Sequence, residues 1–224
     1  MLKKTYNFEK GEVLLIDKPL NWTSFDVVKN IRNALRIKKI GHAGTLDPLA
    51  TGLLILCTGK KTKEVNIFQE MEKEYEGKMV IGKTTPSVDL ETAIDQEYDI
   101  SHIREEEIYE VVNDFIGFID QVPPVYSAIK VNGERVYKKA RKGQSVELSP
   151  RKVNVLHFEI TEVKLPELCF KVRCSKGTYI RSLVRDYGEK LGVGAYMSQL
   201  RRTAIGEFQV KQAVSPADFL NALI

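Results

Sequence analysis

The chain has 224 residues, 43% of them hydrophobic, and a formal net charge of +4. This is apolar enough for a packed core and too apolar for a disordered chain, at the length of one large domain or two small ones. Its longest fully apolar run, residues 53–57, is far short of a membrane span; no apolar signal core opens the chain, and Cys57, Cys169 and Cys174 form no CxxC pair.

In chain order, residues 12–16 read as a short strand ending at Asp17-Lys18-Pro19. Ser24 is placed to cap a helix from Phe25 to about Leu35, with Phe25, Val28, Ile31 and Leu35 on one face. Residues 41–52 are too rich in glycine for a helix and too punctuated for a strand interior, so they read as an ordered loop presenting Asp47. Pro48 biases that aspartate toward an extended backbone. Residues 53–57 read as a buried strand, and Thr58-Gly59-Lys60-Lys61-Thr62 as the opening of a short helix. Lys73–Ile81 alternates polar and apolar residues as a strand does, with Gly82 as its end.

A helix is predicted from about Glu105 to Phe115, stopped by Gly117. Pro123-Pro124 opens a loop with a short helix around residues 135–141. Residues 153–163 and 168–174 look like a strand pair joined near Pro166. Thr178 is placed to cap a helix through Leu191, with Leu183, Val184, Tyr187 and Leu191 toward the core and Gly192 as the stop. Residues 210–224 begin as a strand and end as a short helix. Strands and helices mix without regular β-α-β alternation, which predicts an α+β fold around a largely antiparallel central sheet flanked by helices and loops.

The charges are unevenly spread. Lys130, Arg135, Lys138, Lys139, Arg141, Lys142, Arg151 and Lys152 share a stretch holding only two acids, Glu134 and Glu147. Lys29, Arg32, Arg36, Lys38 and Lys39 precede the Asp47 loop, and Lys60, Lys61 and Lys63 follow it. Basic segments flanking the candidate chemistry favour a polyanionic ligand. Three scattered histidines and no Cys/His cluster argue against structural zinc, and Gly82-Lys83-Thr84 lacks the rest of a phosphate loop.

The run Gly41-His42-Ala43-Gly44-Thr45-Leu46-Asp47-Pro48-Leu49-Ala50-Thr51-Gly52 resembles the catalytic loop of the tRNA pseudouridine synthase B family. Further segments, in family order, resemble its other motifs: Leu15-Ile16-Asp17-Lys18-Pro19-Leu20-Asn21-Trp22-Thr23-Ser24, Lys73-Glu74-Tyr75-Glu76-Gly77, Pro123-Pro124-Val125-Tyr126-Ser127-Ala128-Ile129-Lys130, Cys174-Ser175-Lys176-Gly177-Thr178-Tyr179-Ile180-Arg181-Ser182-Leu183 and Leu200-Arg201-Arg202-Thr203. The family's Thr-Asp-Thr-x-Asp stretch reads Thr85-Pro86-Ser87-Val88-Asp89 here, with Pro86 in place of the first aspartate.

The resemblance implies a pseudouridine synthase fold and isomerisation of a T-loop uridine in tRNA. It implies Asp47 as the catalytic carboxylate, Arg181 as its partner and Tyr75 as the ring that stacks on the base. His42, Tyr179, Leu200 and Lys18 are implied at the substrate or its supporting segment. Lys130, Lys138, Lys139, Arg141 and Lys142 would hold RNA backbone from a clamping loop at about 123–152. The expected enzyme is a single catalytic domain over 1–224 without a C-terminal RNA-binding (PUA-type) domain. It is expected to be cytoplasmic and monomeric, free of cofactor, metal, membrane and obligatory protein partner, with tRNA through its T-arm as the partner. The competing readings are a guide-RNA-dependent subunit acting on ribosomal RNA, and a non-catalytic RNA-folding module.

Overall fold

A computed structural model describes residues 6–127, 130–131, 134–136 and 148–223, with the side chains of 130–131 and 134–135 left aside. The chain folds as two compact bodies, Met1–Tyr75 with Leu200–Ile224, and Glu76–Gln199. Its architecture is α+β, a mixed and largely antiparallel sheet with flanking helices.

In the first body, β1 (Val13–Lys18) alternates buried and half-buried positions and ends on an inward-facing Lys18. Helix α1 (Ser24–Leu35) is followed by β2 (Ile40–Ala43), β3 (Ala50–Thr58) and α2 (Val65–Glu70). β4 (Lys73–Ile81) has the predicted bounds and carries the chain into the second body. There follow β5 (Lys83–Thr84), β6 (Gln96–Glu97), α3 (Glu105–Val111), β7 (Gly117–Gln121), β8 (Lys130–Val131), β9 (Glu134–Arg135), β10 (Arg151–Lys164), β11 (Glu167–Cys174) and α4 (Ile180–Lys190). β12 (Ala195–Ile205) leads back to the first body, which closes with β13 (Phe208–Gln209) and α5 (Pro216–Asn221).

β3 is the centre of the first body. It pairs antiparallel with β1, from Val13↔Cys57 to Lys18↔Gly52, and with β2. On the edge opposite β1, ahead of β2, β12 runs parallel, Leu200↔Ala50 to Arg202↔Gly52. Its residues are buried on both faces: Leu54 and Leu56 pack with Leu14, Ile16, Val27, Ile31 and Phe219, while Leu53, Ile55 and Cys57 pack with Ala43, Phe68 and Ile205. A strand covered on both sides reads as a continuous apolar run, which is why it stands out in the sequence.

In the second body β10 pairs antiparallel with β11 and β7. Phe158 and Tyr187 meet edge to face beneath this ladder, and the Tyr187 hydroxyl donates to the Ile108 carbonyl at 2.7 Å.

Several expectations are corrected. Helix α1 is capped by Thr23, whose Oγ1 accepts from Asp26 N–H while the Asp26 carboxylate accepts from Thr23 N–H. The buried stripe of α1 is Ser24, Val27, Val28 and Ile31, so Phe25 falls outside it and is 60% exposed. The ends of the 41–52 segment belong to β2 and β3, leaving a loop of residues 44–49. The helix predicted to Phe115 is α-helical only to Val111 and tightens to a 3₁₀ turn beyond. Gly117 opens β7, at φ 97°, after that turn. Thr178 does not cap α4: its hydroxyl donates to Ser175 O, and Tyr179 holds the cap position. Residues 210–212 form a 3₁₀ turn instead of a strand, with Gln209 N–H donating to Gln212 Oε1. β12 was not foreseen. The helix expected around 135–141 lies mostly outside the described residues.

Candidate active site

The loop of residues 44–49 is tied down by its neighbours on both sides of Asp47. Before it, Ser24 Oγ accepts from Leu46 N–H at 2.8 Å and donates to Leu46 O at 3.2 Å. After it, the Pro48 carbonyl accepts from Asn21 N–H at 2.9 Å and from Lys18 Nζ at 3.3 Å. At the loop's start Arg202, 1% exposed, donates from a terminal nitrogen to Gly44 O at 3.2 Å and from Nε to Leu53 O at 2.8 Å. Ala50 N–H closes the turn onto Asp47 O at 3.0 Å. Three separate stretches, around Lys18, Ser24 and Arg202, therefore fix the backbone that carries Asp47, whose side chain is half-buried.

Gly52 makes the approach of β12 possible. Its φ is 104°, and a Cβ there would stand 2.3 Å from Arg202 O.

Lys18 is the electrostatic centre of this arrangement. It is wholly buried, and its ammonium donates to the carbonyls of Pro19 (2.9 Å), Trp22 (2.6 Å) and Pro48 (3.3 Å). Burial pushes its pKa down to about 8; the Asp47 carboxylate opposes that shift and Arg202 adds to it. His42, at the end of β2, is half-buried. Burial lowers its pKa below the ordinary value, and its Nδ1 finds no hydrogen-bond partner among the described residues. Tyr75 on β4 and Leu200 on β12 belong to the same body and are each 8% exposed.

The second body holds the remaining expected residues. Arg181, in the first turn of α4, is 4% exposed and donates to Ser87 O at 3.0 Å and Tyr126 O at 2.8 Å. Its Nε lies 3.6 Å from the Asp89 carboxylate, which is equally buried. The segment around Asp89 is docked on β12 by Met197 N–H donating to Val88 O at 3.0 Å. Tyr179 is oriented by Gln121, which accepts from its N–H at 2.8 Å and donates to its carbonyl at 3.1 Å. Gln121 is 1% exposed, so both amide bonds are sheltered from water.

Lys18, His42, Asp47, Tyr75 and Leu200 are thus in the first body, Tyr179 and Arg181 in the second. Lys138, Lys139, Arg141 and Lys142 lie outside the described residues, as does the side chain of Lys130. Ser24, Gln121 and Arg202 escaped the sequence reading as site residues. Asp89 was visible only as the surviving aspartate of a family stretch. Among the described residues no group of three or more His, Cys, Asp or Glu side chains could hold a metal. No helix among them is long and apolar enough to cross a membrane.

Residues 32–180 match the TruB family pseudouridylate synthase N-terminal domain, and residues 181–224 the tRNA pseudouridylate synthase B C-terminal domain. A protein named tRNA pseudouridine synthase B from Flavobacterium johnsoniae is 52% identical over 221 residues, covering 96% of each chain. Its namesake from Phocaeicola vulgatus is 51% identical over 219 residues, 95% of this chain and 93% of the relative. Among solved structures, a chain of a Cbf5-Nop10-Gar1 complex superposes with a TM-score of 0.73 at 31% identity, over 96% of this chain and 54% of that one. A chain of an H/ACA RNP bound to a substrate RNA containing 2′-deoxyuridine gives 0.71 at 30%, over 96% and 53%. The present chain therefore spans about half the length of those two. With a family match over most of its length and relatives half identical along nearly all of it, the chain belongs to the TruB family of pseudouridylate synthases.

Proposed function

We propose that this protein isomerises the T-loop uridine of tRNA to pseudouridine, with Asp47 as the catalytic carboxylate. The observation that carries this reading is the immobilised loop of residues 44–49. Its backbone is held on both sides of Asp47 while the carboxylate itself stays half-buried. A catalytic group held in one geometry has its ordering cost met before substrate arrives.

The reaction balances within the nucleotide. The C1′–N1 bond breaks, the uracil turns, a C1′–C5 bond forms, the C5 proton leaves and N1 regains one. No electrons are exchanged and no water is consumed, so the chemistry asks for no redox or metal cofactor. Asp47 acts at the sugar. Arg181 is assigned as its cationic partner, because a guanidinium keeps a carboxylate ionised and aimed. Asp89, beside Arg181, would balance that charge when Asp47 is engaged elsewhere. Tyr75 offers a face for the extruded base, with Tyr179 and Leu200 as walls. His42 takes a position vacated in the RNA loop, and Lys18 holds the loop that carries Asp47. The basic stretch at about 123–152, including Lys130, Lys138, Lys139, Arg141 and Lys142, is assigned to RNA backbone.

Action on tRNA without guide RNA or protein partner, by a monomer in the cytoplasm, is part of the same proposal. It is supported by the near full-length match to relatives named tRNA pseudouridine synthase B. The test is to map pseudouridine in a tRNA transcript incubated with the purified protein alone, in excess chelator, with the RNA fold checked separately. Pseudouridine at the T-loop uridine and nowhere else supports the proposal. Its absence there, or a requirement for a guide or a metal, overturns it.

A further inference from the structure

We propose that a groove at the start of α1 is a second RNA-binding subsite, which takes an unpaired base and its phosphate from the same RNA. This rests on the reading of the chain as an RNA-acting enzyme. The groove is a shallow, solvent-open depression of about 420 Å³, lined by Asn21, Trp22, Asp26, Lys29, Asn30 and Asn33. That volume falls within the range of clefts that hold single small ligands.

Its chemistry fits RNA. Trp22 is half-buried: part of its ring packs on the core of the first body, and it also lines the groove. An indole held in this way can stack on a base of any identity. Asn30 and Asn33 present exposed side-chain amides, which supply both donors and acceptors for a base edge. Lys29 and Arg32 follow one another at i, i+3 on α1, and Arg36 at its left-handed C-cap, Lys38 and Lys39 continue the positive charge along the chain. The acid lining the groove, Asp26, is committed to the cap, its Oδ2 accepting from Thr23 N–H at 2.9 Å and Thr23 Oγ1 at 2.6 Å. Phe25, 60% exposed, and Leu20, 53% exposed, adjoin the groove's residues in the sequence. Neither contributes to the core, and apolar side chains this exposed beside a basic segment suit stacking and ribose contacts.

The groove is also continuous with the catalytic loop. Trp22 O accepts from Lys18 Nζ, the same ammonium that donates to Pro48 O next to Asp47. Asn21 N–H donates to that Pro48 carbonyl, and Asn21 itself has φ 64°. A nucleotide seated on Trp22 would therefore lie against the segment that positions Asp47.

The chain has one tryptophan among nine tyrosines, so emission excited at the red edge, where tyrosine does not absorb, reports on Trp22. The protein is titrated with a T-arm stem–loop and with full-length tRNA, binding being followed in parallel by anisotropy of labelled RNA. Trp22 emission should fall in step with binding. A Lys29→Ala, Asn30→Ala, Asn33→Ala variant keeps a good helix former at each exposed position. It should lose the quench and raise KM about tenfold, the loss falling on KM rather than kcat. If the wild type makes pseudouridine while Trp22 emission stays flat at saturation, or if the variant keeps the wild-type KM, the subsite is refuted. If the wild type makes no pseudouridine in any tRNA, the underlying functional reading fails instead.

Discussion

Replacing Lys18 with methionine separates a buried charge from its stem. The stem and its packing remain, but the three N–H donors are lost. Pro48 O keeps the Asn21 N–H, whereas Pro19 O and Trp22 O lose their Lys18 partner. Each carbonyl left unpaired costs about 1–3 kcal/mol. Against this, the variant no longer buries an ammonium. A pKa lowered from 10.5 to about 8 corresponds to about 3 kcal/mol, at about 1.4 kcal/mol per tenfold change in the protonation equilibrium. The pH dependence isolates that quantity. Between pH of about 8 and 10.5 the unfolded chain still binds the Lys18 proton while the folded chain has released it. Wild-type stability should therefore rise with pH through that window relative to Lys18→Met, by up to about 3 kcal/mol. Other groups titrating there, such as Cys57 with its thiol pushed up to about 11 by burial, are common to both proteins and cancel in the difference. Urea unfolding of both proteins from pH of about 7 to about 10 measures it. In function, the loop after Asp47 loses one of its ties, and single-turnover rate should fall on the order of tenfold to a hundredfold. A pH-independent stability difference, together with a wild-type rate, would refute the account of Lys18.

Tyr75→Leu should retain part of the RNA affinity and lose most turnover, whereas Tyr75→Phe should keep the stack and the affinity; normal turnover by Tyr75→Leu on a T-arm stem–loop would make Tyr75 a packing residue. Neutralising Lys138, Lys139, Arg141 and Lys142 together should weaken tRNA binding and flatten its log–log salt dependence, by about 0.7–0.9 for each phosphate that is no longer neutralised. An unchanged slope would leave them as solvated charges. Gly52→Ala should destabilise the first body by more than about 2 kcal/mol in urea unfolding, since the new Cβ meets Arg202 backbone at a left-handed φ. A wild-type unfolding midpoint for that variant would show that β12 can move away at little cost.

The sequence was most legible where local pattern and tertiary role coincide. Lys73–Ile81 alternates because one face is buried, and its bounds came out as predicted. Leu183, Val184 and Tyr187 form the inward face of α4 as their spacing requires. The failures share a cause: burial decided by distant partners. β12 contains Arg201 and Arg202 in mid-strand, a pattern that looks too polar for an interior strand. Arg202 is buried because the carbonyls of Gly44 and Leu53, far away in sequence, receive its guanidinium. Lys18 is a similar case, since a lysine before a proline ordinarily reads as a turn residue. Phe25 erred in the opposite direction, an aromatic assigned to the core on spacing alone that faces outward. The Asp47 loop was legible because its glycines, proline and lone carboxylate form a dense local signal. The partners that immobilise it, Ser24 and Arg202, lie within family-like segments, but nothing local marks either as a contact of this loop.

The central claim is that Asp47 performs the chemistry, and single-turnover kinetics of Asp47→Asn on a T-arm stem–loop, with RNA affinity measured on the same preparation, test it most directly. The amide keeps the size and shape of the carboxylate but supplies no anion. The account predicts affinity within a few-fold of wild type and pseudouridine formation at least about a thousandfold slower. Pseudouridine formed at a rate within about tenfold of wild type would contradict it.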